Sequence, residues 1–414
     1  MRHSELPDEQ RVVVTGCGAV TPCGEGVEPL LDAVMAGRSA LRTVSLDDGR
    51  QSGSGREIGG GLVYSCGLER FGDVDKTSGL ALAAAEQVVA ALPDEARRAL
   101  SVFVASGKPA MRLLERVHRG LVERGPASIP ADFVRHVVPS APADAIAARF
   151  GCGGLRQPVV GACSTGLDCV AMAARFLRAG RGRAVLAGSS EASLTPLTVA
   201  AFERLGVLAN GAADPARAIK PFDRDRTGFL IGEGAGMLLV ETLASARQRG
   251  AEILAEVSGW AVVGDAHHLT TLAPHGAGVA HAVTSALDVA GLAPADIDHI
   301  NAHGTATKLN DVIETHGIRM AFGRHADRIK ICSTKPITGH LLSASASVEL
   351  IIAIGAMRSG LAPPTINLDE VDPACDLDYT PHAAVECPMR HALVLNYGFG
   401  GHVGAVVLSG WTER

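Results

Sequence analysis

Cys163 stands in Pro158-Val159-Val160-Gly161-Ala162-Cys163-Ser164-Thr165-Gly166-Leu167-Asp168, where a short apolar run ends in small residues and a long alanine-rich helical stretch begins. Unpaired amides and the positive dipole end at the start of a helix favour an anion, so a thiol placed there is expected to ionise more easily than a free one. The Gly-Ala-Cys-Ser-Thr-Gly context has no bulky residue to block a long acyl group. The chemistry this suggests is nucleophilic: a thiolate that holds a substrate as a thioester.

Two later segments carry groups that such a thiolate could use. Asn301-Ala302-His303-Gly304-Thr305-Ala306-Thr307 follows an apolar run, as a residue at the carboxyl end of a sheet strand would. By itself His303 is equally readable as a satisfied core histidine. Ser333-Thr334-Lys335-Pro336-Ile337-Thr338-Gly339-His340 again surrounds an imidazole with small residues, and Lys335 precedes it by five positions. Glu349 falls within the following helical stretch. Near the C-terminus, Asn396-Tyr397-Gly398-Phe399-Gly400-Gly401 sets aromatics among glycines, where backbone amides can approach a ligand.

Cysteine, two histidines and a lysine in these contexts and this order resemble the β-ketoacyl-acyl-carrier-protein synthases, most closely their discrete, elongating type II branch, from about residue 11 to 409. The resemblance implies a thiolase-like α/β fold, a five-layer αβαβα sandwich of two similar halves that associates as a dimer, either a homodimer or a heterodimer with a chain-length-factor-like partner. It implies that Cys163 carries the growing acyl chain, that His303 and His340 donate to the malonyl thioester carbonyl as carbon dioxide leaves, and that Lys335, anchored by Glu349, organises them. It further implies that Thr305 and Thr307 bond the phosphopantetheine arm of an acyl carrier protein. Phe399 would gate the acyl pocket and, with Cys163, supply the oxyanion-hole amides beside Gly400. No permanently bound cofactor and no metal are expected; the substrates ride on the carrier's phosphopantetheine. An acyltransferase that moves the Cys163 acyl group without decarboxylation, and a non-catalytic partner subunit that sets chain length, are the alternatives; both histidines and the cysteine speak against them.

Three places depart from the family pattern. After His340 the chain reads Ser343-Ala344-Ser345-Ala346 where relatives have Gly-Ala-Ala-Gly. His402-Val403 follows the C-terminal glycines in place of Thr-Asn, setting an imidazole close to the gate. Lys108, in Ser106-Gly107-Lys108-Pro109-Ala110, falls where relatives line the acyl pocket with an apolar residue. A buried ammonium is costly unless paired, so Lys108 points to solvent, bonds a partner-subunit group, or meets a polar acyl chain. These changes point to a specialised pathway such as polyketide or polyene assembly.

The whole composition agrees with a large α/β protein. In 414 residues, 47% are hydrophobic, mainly Ala, Val and Leu, while only 4% are aromatic, which favours tightly packed helices and buried strands. Strand-like runs at Arg11–Thr15, Ser101–Ala105, Pro158–Gly161, Ala184–Ala187, Met237–Glu241, Glu252–Gly259, Ile297–Ala302, Ile329–Ser333 and Ala392–Asn396 alternate with helical runs at Thr77–Leu92, Thr165–Ala179, Val279–Ala290 and Ser343–Met357. That alternation predicts a mostly parallel sheet. The expected divisions are a flexible arm over 1–10, a first half over 11–250 with the nucleophile, and a second half over 251–414 with the histidines and lysine. No internal repeat is visible in the residues, and Asp47–Gly61 reads as a low-complexity surface loop.

A net charge of −6 gives no general attraction to nucleic acid or an anionic membrane. Arg204, Arg217, Lys220, Arg224 and Arg226 form the densest basic cluster, readable as a carrier-docking patch or as a solvated loop. Nine scattered cysteines without paired CxxC units suggest a reduced, cytoplasmic chain. The longest uncharged apolar run, Leu350–Met357, is too short to span a bilayer. Gly16-Cys17-Gly18 lacks the third glycine of a dinucleotide loop, and His267, His268, His275 and His281 are interrupted by Pro274 and Gly276 and lack a completing ligand.

Overall fold

The computed structural model describes residues 3–46, 56–63, 67–210 and 213–412. Its strands are β1 (Val12–Thr21), β2 (Gly24–Glu25), β3 (Arg42–Leu46), β4 (Arg56–Gly60), β5 (Ser101–Ala105), β6 (Ala184–Glu191), β7 (Gly234–Thr242), β8 (Ala255–Gly264), β9 (His299–Asn301), β10 (Lys330–Cys332), β11 (Leu361–Ala362), β12 (Val385–Glu386), β13 (His391–Gly398) and β14 (His402–Ser409). One continuous sheet runs β10-β9-β13-β14-β8-β1-β7-β6-β5, with β2 added to β1. Long runs of Val, Ile, Leu and Ala make these strands, and almost every residue of β5, β7, β13 and β14 is buried, as expected of a sheet covered on both faces.

The sheet is mixed rather than mostly parallel. Outward from the β1–β8 junction, where only Val13 and Val14 pair across, both halves follow one pattern. β1–β7 and β7–β6 are antiparallel and β6–β5 parallel; β8–β14 and β14–β13 are antiparallel and β13–β9 parallel. A helical crossover dictates the parallel pairs, and the tight β13–β14 connection dictates an antiparallel one. The internal repeat that the residues hide is therefore present in the pairing.

Pro158–Gly161 is not a strand. The chain forms a single bridge to β5 at Arg156, where Val102 donates to Leu155 and Gln157 donates to Val102, and then leaves at Pro158, which has no N–H to continue the ladder. β10 holds the matching edge position in the second half, parallel to β9.

Two helices fill the space between the half-sheets. Thr165–Arg178 and Ser345–Ser359 pack on each other and on strands of both halves, while Lys76–Val89 and Ala141–Phe150 cover the first half and Ala277–Ala290 and Lys308–Phe322 the second. This is an αβαβα layering. The central helices approach closely because their shared face is small. A Cβ on Gly166 would lie 2.5 Å from the Ser347 nitrogen, so only glycine fits there. The stretch Leu342–Ser359 is long and apolar enough to cross a membrane by length and composition, yet 78% of it is buried inside the protein as core.

Two further expectations are revised. His3 is not part of a loose arm: its ring is buried, donates from Nδ1 to the Ala290 carbonyl at 3.1 Å and lies 3.6 Å from the Glu256 carboxylate. Of the segment expected as a low-complexity loop, residues 47–55 lie outside the described residues, while Arg56–Gly60 is β4, paired with β3 along its whole length.

Candidate active site

Cys163, the candidate nucleophile, sits on a tight turn. Ala162, with φ of 53°, begins a single 3₁₀ turn over Ala162–Ser164, and the helix Thr165–Arg178 follows at once. Left-handed geometry at a residue with a Cβ costs about 1–3 kcal/mol and needs support from its surroundings. Here Thr165 Oγ1 donates to the Ala162 carbonyl at 2.7 Å and accepts from the Gly161 amide at 3.0 Å, while Ser164 Oγ donates to the Gly161 carbonyl at 2.8 Å. The second half repeats the device: Leu342, with φ of 50°, opens a 3₁₀ turn before the helix Ser345–Ser359, which places Ser343 where the first half has Cys163.

Cys163 is only 9% exposed. That burial pushes the thiol up to about 11, opposite to the easier ionisation expected at a helix start, while Lys108 and Lys335 pull it down. Asp168, one turn along, is pushed up to about 7 by burial and accepts from Ser164 Oγ at 3.0 Å.

His303 leaves the C-terminal end of β9 and His340 follows the short helix Lys335–Thr338. Both rings are buried, their centroids 5.5 Å apart and nearly perpendicular. Burial first, and then the Lys335 charge, holds both imidazoles well below the ordinary histidine range, so both are neutral at pH 7. Lys335 is itself fully buried and reaches the Glu349 carboxylate at 2.6 Å, whose other oxygen accepts from Asn396 Nδ2. Glu349 thus faces the interior and holds Lys335, and it does not line the cavity.

A cavity brings these groups together. Its lining includes the buried Cys163, His303, His340, Phe202, Phe229 and Thr305, the half-buried Phe399, Thr271 and Thr307, and the exposed Thr270. Phe399 reaches Cys163 because β13 runs into the nucleophile turn: a Cβ on Gly398 would lie 2.0 Å from the Gly161 carbonyl oxygen. Gly400 and His402 stand back from the cavity. Gly400 donates to the Leu269 carbonyl at 2.7 Å, and His402 is held as the first residue of β14, paired with Gly398 and Gly264. Lys108 resolves to a pairing within its own chain, 3.7 Å from the fully buried Glu191.

Several supports have no local sequence signal. Glu314 accepts the amides of His303 and Gly304 at 2.8 Å each and the Tyr397 hydroxyl at 3.1 Å, fixing the His303 loop; burial pushes it up to about 7. Ser345 Oγ lies 2.9 Å from His340 Nδ1. Arg226 is not a surface cation. It is 1% exposed and donates to the carbonyls of Asp223, Thr307 and Lys308 and to Asp372, which pins the Thr305–Thr307 loop. Of the remaining basic cluster, Arg217 and Lys220 pair with Asp369, Arg224 lies 3.8 Å from Asp225 and from Glu370, and Arg204 is exposed. Among the described residues no group of three or more His, Cys, Asp or Glu is placed to hold a metal ion.

The fold is the thiolase-like α/β arrangement, and one cavity gathers a thiol on a strained turn with two neutral histidines. Residues 9–246 match the β-ketoacyl synthase N-terminal domain and residues 254–369 the β-ketoacyl synthase C-terminal domain, so the chain belongs to the β-ketoacyl synthase family. It is 35% identical to 3-oxoacyl-[acyl-carrier-protein] synthase 2 of Synechocystis over 95% of this chain and 97% of that one. It is 36% identical to putative polyketide β-ketoacyl synthase 1 of Streptomyces halstedii over 98% and 99%. Among solved structures, a type II polyketide acyl-carrier protein in complex with its ketosynthase aligns with a TM-score of 0.87 and 33% identity, covering 97% of this chain and 99% of that one. The ishigamide ketosynthase/chain length factor aligns with a TM-score of 0.88 and 30% identity, covering 97% and 99%.

Proposed function

We propose that this protein elongates acyl chains by decarboxylative condensation, with Cys163 as nucleophile and His303 and His340 as donors to the malonyl thioester. The observation that carries this is the convergence of those three side chains on one cavity that Thr305 and Thr307 also line. The Cys163 thiol attacks an acyl thioester, its proton passing to the departing pantetheine thiolate, and an acyl-enzyme results. Malonyl thioester then binds in the same cavity, and its carboxylate–carbon bond breaks to release carbon dioxide. The electron pair passes to an enolate whose oxygen accepts hydrogen bonds from the two neutral imidazoles. The enolate carbon attacks the Cys163 thioester, the carbon–carbon bond forms, and the cysteine thiolate leaves.

Lys335 belongs to this scheme as the charge that adds to burial in keeping both histidines neutral. Thr305 and Thr307, bonded to each other at 3.0 Å, line the cavity and are assigned to hold a pantetheine arm, and Phe399, which lines the same cavity as Cys163, is assigned as its gate. The amides of Cys163 and Phe399 are assigned to the oxyanion hole. The acyl groups arrive on a carrier protein, and the protein works in the cytoplasm as a dimer, with itself or with a chain-length-setting partner.

Intact-mass measurement with acyl carrier proteins, followed by addition of malonyl carrier protein, tests this. A mass gain lost in Cys163→Ala, and a product two carbons longer bearing a β-keto group, is expected. Acylation without extension would favour the acyltransferase alternative, and no acylation would favour a partner-subunit role.

A further inference from the structure

The turn Ser106-Gly107-Lys108 lies directly against the nucleophile. A Cβ on Gly107 would sit 3.9 Å from the Ala162 carbonyl oxygen, 3.5 Å from Ser343 Cβ and 3.6 Å from Glu191 Oε2. Glu191 ends β6, is fully buried, and is bonded through one oxygen by Ser193 Oγ and through the other by Ser343 Oγ at 2.7 Å. Each carboxylate oxygen thus accepts from one hydroxyl, Ser193 Oγ also reaching the Lys108 carbonyl at 3.3 Å and Ser343 Oγ the Ser190 carbonyl at 3.1 Å. Lys108 Nζ stays 3.7 Å away, close enough for charge attraction and too far for a hydrogen bond.

The ammonium therefore keeps its donors free. Among the described residues no hydrogen-bond acceptor lies within bonding distance of Nζ, and its side chain is 34% exposed. Lys108 is not itself among the residues lining the cavity, but it stands beside one that is. Nζ lies 5.9 Å from the ring centre of Phe202, and Phe202 lines the same cavity as Cys163 and packs 6.2 Å from Phe399. Glu191 and Phe202 together hold the cation there. A saturated alkyl chain lying on Phe202 would strip water from Lys108 and return nothing, whereas a chain carrying a carbonyl or hydroxyl oxygen would accept a charge-assisted hydrogen bond.

Building on the proposed condensing activity, we infer that Lys108, braced by Glu191, is a specificity-determining residue that selects acyl groups bearing acceptor oxygens over plain alkyl chains. Ser343, which occupies in the second half the position of Cys163 in the first, has the supporting role of fixing Glu191. The departure from an apolar wall is then a recognition element for an oxygenated, polyketide-like chain.

The test is Cys163 acylation by octanoyl-pantetheine against its 3-oxo, 5-oxo and 7-oxo analogues, followed by intact mass, in the full-length protein and in Lys108→Met and Lys108→Arg. At least one oxo chain should be favoured by about tenfold in kcat/KM, a preference kept in Lys108→Arg and reduced to about twofold or less in Lys108→Met through faster alkyl loading. The favoured oxo position reports how deep Nζ sits. Equal acylation by all four thioesters in the unaltered protein, a measurement that needs no variant to fold, removes this inference and leaves the condensing function standing. The same holds for a preference that survives Lys108→Met. Acylation by none of the four removes the condensing function and this inference with it.

Discussion

Lys335 and Glu349 form an ion pair from which water is excluded: Nζ lies 2.6 Å from Oε1, with the side chains 0% and 4% exposed. Asn396 donates to the second carboxylate oxygen, so the charge is matched and the acceptor filled. Removing one member of such a pair strands the other, at a cost of about 3–5 kcal/mol. Glu349→Leu should therefore unfold at markedly lower denaturant, and Lys335→Met combined with Glu349→Leu should recover most of that loss without restoring condensation. Chemical unfolding of the three proteins checks this; an unaltered midpoint in Glu349→Leu would mean that the pair is not closed to water.

Burial raises the Cys163 thiol, opposite to the easier ionisation expected at a helix start. A thiol pushed up to about 11 is ionised in roughly one molecule in a thousand at pH 8, and its thiolate fraction rises about tenfold per pH unit until that value is approached. Alkylation of the free protein by iodoacetamide should consequently climb log-linearly from pH 7 to 10, with no plateau near neutrality. Lys335→Met, which removes a charge that lowers the thiol pKa, should slow it further. A plateau by pH 8 would restore the helix start as the controlling influence.

His340 is oriented by a hydroxyl. If Ser345 Oγ donates to Nδ1 across their 2.9 Å contact, the imidazole proton is left on Nε2 and can point into the cavity. Ser345→Ala should lower kcat for condensation by about tenfold with little change in KM, and Ser345→Thr should restore part of it. The pH profile adds an independent check. Because both imidazoles titrate well below the usual range, they stay neutral as pH falls from 7 to 6, and malonyl decarboxylation should show no loss centred near 6.5.

How much of this was legible in the residues depends on the range of each interaction. Cys163, His303, Lys335 and His340 sit in short stretches of small residues and could be read locally. Glu314 could not, because its ligands are the amides of His303 and Gly304, brought to it only when β9 and the helix Lys308–Phe322 fold together. Arg226 shows the opposite failure: sequence displays its charge but not the three carbonyls and Asp372 that cage it. The two-fold repeat escapes inspection because it lives in strand pairing and in the paired left-handed turns at Ala162 and Leu342, whose side chains differ. The expected parallel sheet erred because alternation of strands and helices does not reveal pairing: β7 runs antiparallel between β1 and β6, and β14, a strand the alternation omits, antiparallel between β8 and β13.

The contact between Gly398 and the nucleophile turn offers the sharpest steric test. A methyl group at 398 would fall 2.0 Å from the Gly161 carbonyl oxygen and 3.2 Å from Ala162 Cβ, both backbone-anchored positions that cannot move without shifting Cys163. A displacement of about 1 Å in a reacting group can cost on the order of a hundredfold in rate, so Gly398→Ala should lose at least that in condensation even where the protein stays folded. Gly107→Ala is the control on the opposite side of the same turn. Its Cβ meets nothing nearer than 3.5 Å, so its unfolding midpoint should match that of the unaltered protein, and Cys163 should still be acylated. Normal condensation by Gly398→Ala, measured as β-keto product per acyl-enzyme, would show that Phe399 need not be seated against the cysteine turn.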